Sequence, residues 1–465
     1  MTGFHVENFG CRAARADGES VSARLRELGL AEAPLAEADL VVVNTCSVTS
    51  EADRDARAFL RKARRMNLQA RVVVTGCYAQ RAPEEVAALP GVSAVVGNSH
   101  KGLLPSILQQ FLPGPTATTA AAPVIPTAQL AATSIWADDA FAHSALEEAQ
   151  ILPGHQTRPN LKIQEGCSNR CTFCVIPATR GNSRSLGAEK IFAQVQGFVA
   201  AGGRELVFSG INLGRWGRDL AAEPDQPANL ADLVRNILTT TALPRLRVSS
   251  IEPMDWTPDL IQLLAEFGPT ARLARHAHLP LQSGSDSVLR RMHRRYRPWH
   301  YAEKATQLRA AAGPALCLGA DVMVGFPGES DAEFRETHDL LAALPIAYLH
   351  LFPFSPRPGT PGWQLHQDSP VPHLAVRQRM AALEALARDK ARAFRATFVG
   401  QSLPAVTLNA SPTEAALGHG SALTDNFLPV TLCHPAPANQ LGTVTVDALN
   451  RDNTLNGYFI PAQTA

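Results

Sequence analysis

Residues 161–174 read LKIQEGCSNRCTFC. The first five read as a short β-strand. Gly166 then opens a loop that carries Cys167, Cys171 and Cys174 as C-x3-C-x2-C. Three thiolates on one short loop can wrap one face of a cubane iron–sulfur cluster, which is usually held by four cysteines. Three ligands leave one iron open. An open iron is what S-adenosylmethionine needs in order to chelate through its amino and carboxylate groups. An electron passed to the sulfonium then cleaves a carbon–sulfur bond and yields a 5′-deoxyadenosyl radical, chemistry the cofactor carries and the protein confines. Cys167, Cys171 and Cys174 are therefore the candidate catalytic residues. Zinc is the rival reading, but structural zinc favours four ligands, commonly as paired C-x2-C. The sequence holds no second C-x2-C.

Downstream, apolar runs and helical stretches alternate. Strands are expected at 161–165, 205–210, 246–250, 277–282, 315–325 and 347–354. Six βα units in series predict a partial or complete β/α barrel, whose chemistry gathers at the C-terminal strand ends. The cysteine loop follows the first strand, where that rule puts a reactive centre. Polar groups near later strands are candidates for holding the cofactor: Gly203 and Glu205 at the second, Ser250 and Glu252 at the third, Gln282 at the fourth and Asp321 at the fifth, with Phe173 inside the loop itself. Ordinary turn and cap chemistry explains the same residues when the loop is set aside.

Upstream, residues 1–112 show a βαβ pattern. ADLVVVNTC and ARVVVTGC read as buried parallel strands around the helix SEADRDARAFLRKARR, with Ser50 as its cap. VSAVVG is a third strand, and a small doubly wound α/β domain is expected. Cys11, Cys46 and Cys77 each follow a predicted strand. In a parallel sheet such ends share one edge, so the three would converge. Three separate buried thiols are the plainer alternative. Residues 113–152, rich in Pro and Ala, read as a linker or insertion. Residues 153–392 form the barrel region, closed by a long helix at 376–398. Residues 393–460 break into short β-like runs that predict a small antiparallel β-barrel. The fold class is thus α/β throughout the first two regions, followed by that barrel.

Charge and composition set outer bounds. The 465 residues are 45% apolar and 18% charged, with a net charge of +1. Bulk charge therefore neither invites nor excludes a polyanion. No apolar run reaches the roughly 20 residues that span a bilayer, and residues 1–20 lack the order of a secretory signal. A cytoplasmic protein with no membrane partner is expected. In reducing conditions the eight cysteines are not disulfides, and the isolated Cys317 and Cys433 read as buried small hydrophobes. Arg54, Arg57, Arg61, Lys62, Arg64 and Arg65 share one helical stretch. Arg290, Arg291, Arg294, Arg295 and Arg297 crowd another, with Tyr296 and Trp299 interleaved. Solvated faces account for both runs better than RNA contacts do.

Several long motifs carry a resemblance to a known family. NTCSVTSEADRDARAFLRKARR and VVVTGCYAQRAPEEVAALPGVSAVVGNSHK come first, then GCSNRCTFCVIPATRGNSRS. SSIEPMDW, HAHLPLQSGSDSVLRRMHRRYRP, GADVMVGFPGES and FPFSPRPGTP follow. Together they resemble the radical-SAM methylthiotransferases from end to end and, among them, the MtaB-type tRNA enzymes. The resemblance implies two 4Fe–4S clusters, an auxiliary one on Cys11, Cys46 and Cys77 and the radical-generating one on Cys167, Cys171 and Cys174. It implies a TRAM-like C-terminal barrel that grips RNA. The implied substrate is anticodon-loop adenosine 37 of tRNA bearing N6-threonylcarbamoyl, methylthiolated at carbon 2, with flavodoxin or ferredoxin as electron donor. Isopentenyladenosine and a ribosomal-protein aspartate are the alternative substrates, and a non-catalytic metal-bearing RNA-binding module is the alternative class. Relatives carry Asn a few residues past the first cysteine, where this chain has Ala14.

Overall fold

The computed structural model describes residues 2–112, 133–143, 146, 157–221, 224 and 226–462. They fall into two compact units. Unit one is Met1–Gln150 with Gln164–Arg170 and Cys174–Arg184; unit two is Ile151–Ile163, Cys171–Phe173 and Ser185–Ala465.

Unit one is built on β1 (Gly3–Asn8), β2 (Ala31–Glu32), β3 (Leu40–Thr45), β4 (Arg71–Gly76), β5 (Val92–Gly97) and β6 (Ser134–Trp136). Their order is β2-β1-β3-β4-β5-β6 and every pair is parallel. β3 is apolar without alternation because both its faces are covered. Val41 and Val43 pack with Ala56 and Leu60 of the helix Ser50–Met66. Leu40 and Val42 pack on the other side with Val21 and Leu25 of the helix Arg12–Glu27. The expected doubly wound domain is thus present. The cap of the second helix is Thr49 rather than Ser50, its side chain accepting from Ala52 N at 3.3 Å. Within the stretch read as linker, Ser134–Trp136 pairs with β5, and Trp136 packs against the core because its strand register brings it there. The rest of that stretch, 113–132, 144–145 and 147–152, lies outside the described residues.

The central region holds β7 (Asn160–Glu165), β8 (Arg184–Ser185), β9 (Glu205–Gly210), β10 (Arg245–Val248), β11 (His276–Gln282), β12 (Cys317–Val324) and β13 (Tyr348–Pro353). They form a sheet β10-β9-β7-β8 and a sheet β11-β12-β13, linked by a bridge between Leu246 and Leu273. The six expected strands are present in a partial barrel; the two-residue β8 is an addition.

The helix His373–Ala396 leads to β14 (Ser402–Leu408), β15 (Gly420–Thr424), β16 (Pro429–Leu432), β17 (Leu441–Leu449) and β18 (Leu455–Pro461), which close into a barrel. One pairing departs from the antiparallel expectation: β16 and β18 run parallel. Arg247 Nη2 donates to Thr424 O at 3.1 Å and Arg275 Nη2 to Asp425 Oδ1 at 3.0 Å, which anchors this barrel beneath the start of β10 and β11. Cys317 is buried, and burial pushes its thiol up to about 12. Cys433, expected to be buried, is exposed, because it lies one residue past β16, where the inward alternation has ended. Among the described residues no helix is long and apolar enough to cross a membrane.

Candidate functional site

In unit one the strand order places β1, β3 and β4 side by side, and a cysteine follows each. Cys11 stands at the N-cap of Arg12–Glu27, Cys46 directly follows Thr45, and Cys77 opens the short helix Cys77–Arg81. The chain makes room for them. Gly10 has φ +104°, and a Cβ there would sit 2.4 Å from Cys46 Cβ and 2.7 Å from its Sγ. Only glycine meets both demands. Burial first, and then the charges of Cys77 and Cys11, push the Cys46 thiol up to about 12. The sheet order thus brings the three chain segments that carry these cysteines to one edge.

The surroundings of these thiols were not legible in the sequence. Arg180, 1% exposed, directs Nε to Cys77 Sγ at 3.2 Å. Its Nη1 donates to Asp17 at 3.1 Å and Glu165 at 2.6 Å. Burial works against the guanidinium's charge, but Cys77, Glu165 and Asp17 outweigh it and hold it charged. Asn98 Nδ2 lies 3.6 Å from Cys77 Sγ and donates to Thr179 O at 2.7 Å. The Ala14 carbonyl accepts from Asn44 Nδ2.

The C-x3-C-x2-C loop follows β7. Gly166, at φ +69°, admits no Cβ, which would meet Asn182 O at 2.1 Å. Cys167 N donates to Gly181 O at 3.1 Å, and its Sγ accepts from Asn169 N at 3.4 Å. Cys174 Sγ accepts from Ile176 N at 3.4 Å. Cys171 Sγ accepts from Arg294 Nη1 at 3.3 Å. Each loop sulfur thus accepts from a backbone or guanidinium donor, which fixes where it points. Phe173 packs against a cluster that contains Val288, Met292, Tyr296 and Phe326, and Thr172 N donates to Met292 O at 3.2 Å.

Arg294 was read as part of a solvated basic face. The structure buries it instead: its Nη2 holds both oxygens of Glu252 at 2.6 Å. Tyr296 is core rather than a stacking platform, its hydroxyl donating to Pro280 O and Leu281 O at 2.7 and 2.8 Å. Arg290 and Trp299 are exposed, as a solvated face requires. Arg61, Lys62, Arg64 and Arg65 are likewise exposed on their helix.

The cofactor-binding candidates divide into two groups. Glu252 and Gln282 stand at the C-terminal ends of β10 and β11 with Arg294 and Tyr296. Gln282 adopts φ +65° and its Oε1 is buried with no hydrogen-bond partner among the described residues. Ser250, past the end of β10, is exposed. Asp321 lies inside β12, its Oδ1 held by His278 Nε2 at 3.0 Å and His350 Nδ1 at 3.2 Å. Burial opposes its charge, but these two histidines outweigh it and hold the carboxyl well below its usual range. His350 and Tyr348, whose hydroxyl lies 2.8 Å from both His276 Nε2 and His278 Nδ1, were not singled out in the sequence. Gly203 and Glu205 stand at the start of the second barrel strand, as read from the sequence, and there they have structural partners. They precede and open β9, roughly 16 Å from its C-terminal end at about 3.3 Å per residue. Gly203 sits under the Phe198 ring, and Glu205 is a fully buried partner of Arg158, Arg245 and Arg247. Their work is structural because parallel strands put residues 203–205 at the wrong end for the cysteine loop.

Residues 161–341 match the model of the Radical SAM superfamily, and residues 3–97 match that of Uncharacterized protein family UPF0004. In fold, the chain is similar to the radical S-adenosylmethionine methyltransferase TsrM from Kitasatospora setae, at TM-score 0.52 and 15% identity over 75% of this chain and 72% of that one. The loop, the partial barrel and these matches define a radical-SAM enzyme.

Closer relatives narrow the class. The threonylcarbamoyladenosine tRNA methylthiotransferase MtaB of Bacillus subtilis is 32% identical over 92% of this chain and 89% of its own length. The enzyme of the same name from Aquifex aeolicus is 32% identical over 91% and 95%. The tRNA-2-methylthio-N(6)-dimethylallyladenosine synthase of Erythrobacter litoralis is 34% identical over 86% and 85%. The chain belongs to the radical-SAM methylthiotransferase family, whose members use S-adenosylmethionine and carry two [4Fe–4S] clusters. The residues present fit those groups. Each site supplies three thiols, and the buried Arg180 Nη2 has no protein acceptor among the described residues.

Proposed function

We propose that the protein methylthiolates carbon 2 of N6-threonylcarbamoyladenosine at position 37 of tRNA. The observation that carries this reading is the match to the Bacillus subtilis methylthiotransferase over 92% of the chain. Cys167, Cys171 and Cys174 hold the radical-generating cluster, and Cys11, Cys46 and Cys77 hold the auxiliary one. When bound, the open-iron cluster supplies the electron that cleaves S-adenosylmethionine, and the auxiliary cluster supplies a site for the transferred sulfur.

The chain's own residues do the rest. Backbone donors at Asn169 and Ile176 and the Arg294 guanidinium orient the three loop sulfurs. Phe173 fixes the loop by packing into the apolar cluster around Met292. Glu252 neutralises Arg294, and Gln282 offers a buried amide oxygen to the S-adenosylmethionine amine. Asp321, ionised between two histidines, is an acceptor for substrate or cofactor hydroxyls. The overall exchange replaces a C2–H bond with a C2–S bond: the hydrogen atom leaves with the 5′-deoxyadenosyl carbon, the methyl comes from a second S-adenosylmethionine, and the auxiliary cluster would give up the sulfur and take the remaining electron. Exposed Arg61, Lys62 and Arg65 suit a phosphate backbone.

The second reading is the same chemistry on dimethylallyladenosine, favoured by the 34% identity to the Erythrobacter litoralis enzyme. Nucleoside mass spectrometry of tRNA from a deletion strain separates the two. Loss of the methylthio mark on threonylcarbamoyladenosine alone, restored by complementation, is the expected result. Loss on dimethylallyladenosine alone would transfer the assignment to the second reading.

A further inference from the structure

Arg180 is a cation with almost no access to solvent, and its hydrogen bonds are unevenly satisfied. Asp17 and Glu165 fix Nη1, and Asp17 is itself paired with Lys101. The Nε–H donates to Cys77 Sγ at 3.2 Å. Nη2 is buried and has no partner among the described residues. A donor left unmade in the interior is costly, and more so on a charged group. In a planar guanidinium, Nε and the Nη that lies trans to Cδ form one edge, a rigid fork that takes two acceptors side by side. Here the first acceptor is the Cys77 sulfur. The second donor of that edge therefore faces the neighbourhood of the same sulfur.

The chain builds this arrangement at some expense. Arg180 closes the short helix Ile176–Arg180, on the segment that begins with Cys174, and Gly181 ends it at φ +71°. Asn98 Nδ2 ties Thr179 O, the carbonyl just before Arg180, and lies near the same Cys77 Sγ. A lysine would supply charge without the paired donors, so the geometry selects arginine.

We infer that Arg180 is a positioning residue of the Cys11–Cys46–Cys77 site, its Nε–Nη2 edge donating to the Cys77 thiolate and to an inorganic sulfide beside it, and that these bonds raise the reduction potential of the cluster held there. The inference rests on the reading that these three cysteines hold a cluster. Hydrogen bonds and positive charge at cluster sulfurs favour the reduced, more negative state, so their loss lowers the potential.

The test uses the full chain with Cys167→Ala, Cys171→Ala and Cys174→Ala, reconstituted anaerobically, so that a single cluster remains to be titrated by EPR. About four irons per chain are expected in this parent. No bound iron there would overturn the cysteine assignment and this inference with it. Arg180→Lys should keep the iron and move the midpoint to a more negative potential. Arg180→Gln combined with Glu165→Gln, which preserves the balance of buried charge, should move it further in the same direction. An unchanged midpoint and EPR line shape in these iron-loaded variants would overturn the role of Arg180 while leaving the cysteine assignment standing. Loss of iron from both variants would also overturn it, since Arg180 would then serve assembly alone.

Discussion

Arg294 donates to Cys171: Nη1 lies 3.3 Å from the thiol Sγ, across 123 residues of sequence. The same guanidinium grips both oxygens of Glu252 through Nη2. One buried cation thus joins the middle cysteine of the loop to the end of β10. Tyr296, two residues on, reaches the carbonyls at the end of β11.

Replacing Arg294 with methionine should expose how much that junction contributes. The change leaves Glu252 without its counter-charge and Cys171 without its side-chain donor. Breaking a largely buried ion pair from one side costs about 3 kcal/mol. An unfolding free energy lowered by that amount in denaturant titration is expected, with 5′-deoxyadenosine release reduced at least tenfold. The double change Arg294→Met, Glu252→Gln should recover part of the stability but not the release. Full release from the single variant would refute the positioning role.

Gly10→Ala tests the packing of the N-terminal cysteines. The added Cβ lies 2.4 Å from Cys46 Cβ at a backbone angle that L-residues avoid. Iron should fall from roughly eight to roughly four per chain, while 5′-deoxyadenosine is still formed and methylthiolated product is lost. Gly29→Ala is the control. It shares a positive φ of +83° but meets nothing within 4 Å, and it should retain full iron. Equal iron loss in both variants would point to backbone strain rather than to the Cys46 contact.

Glu205 sets a pH dependence in the acid range. Burial pushes its carboxyl up, but Arg247, Arg158 and Arg245 together outweigh burial and hold it at about 2, below the 4.5 of an unperturbed glutamate. Between those values the unfolded chain binds the extra proton, so stability rises with pH across the window. The contribution, on the order of 3 kcal/mol, is complete above pH 4.5 and drains away as pH falls toward 2. Unfolding midpoints measured through this range should show a slope that Glu205→Gln removes. An identical slope in the variant would mean that other carboxylates carry the acid sensitivity.

Reading from residues alone, the apolar runs located the strands well because burial on two faces leaves an unbroken valine-rich signal, as in β3. The cysteine triplets were legible for a related reason. Each follows a strand, and parallel topology turns strand ends into neighbours. Charged side chains were not legible in this way. Arg294 sits in an arginine-rich run that looks solvated, yet it is buried while Arg290, four positions earlier, is exposed. Glu205 looked like a ligand group because it adjoins a strand, but which end of the strand it occupies decides its task.

The order of elements, the two sets of three cysteines and the glycines that precede them are consequences of the sequence itself, since hydrophobic period and strand direction are local properties. The partners of the sulfurs are not. Arg180 reaches Cys77 across 103 positions and Arg294 reaches Cys171 across 123. Nothing in a guanidinium's immediate neighbours states whether it will be desolvated or what will face it. That choice belongs to the packed fold, where burial of a charge is tolerated only once its counter-charges and acceptors have been brought to it.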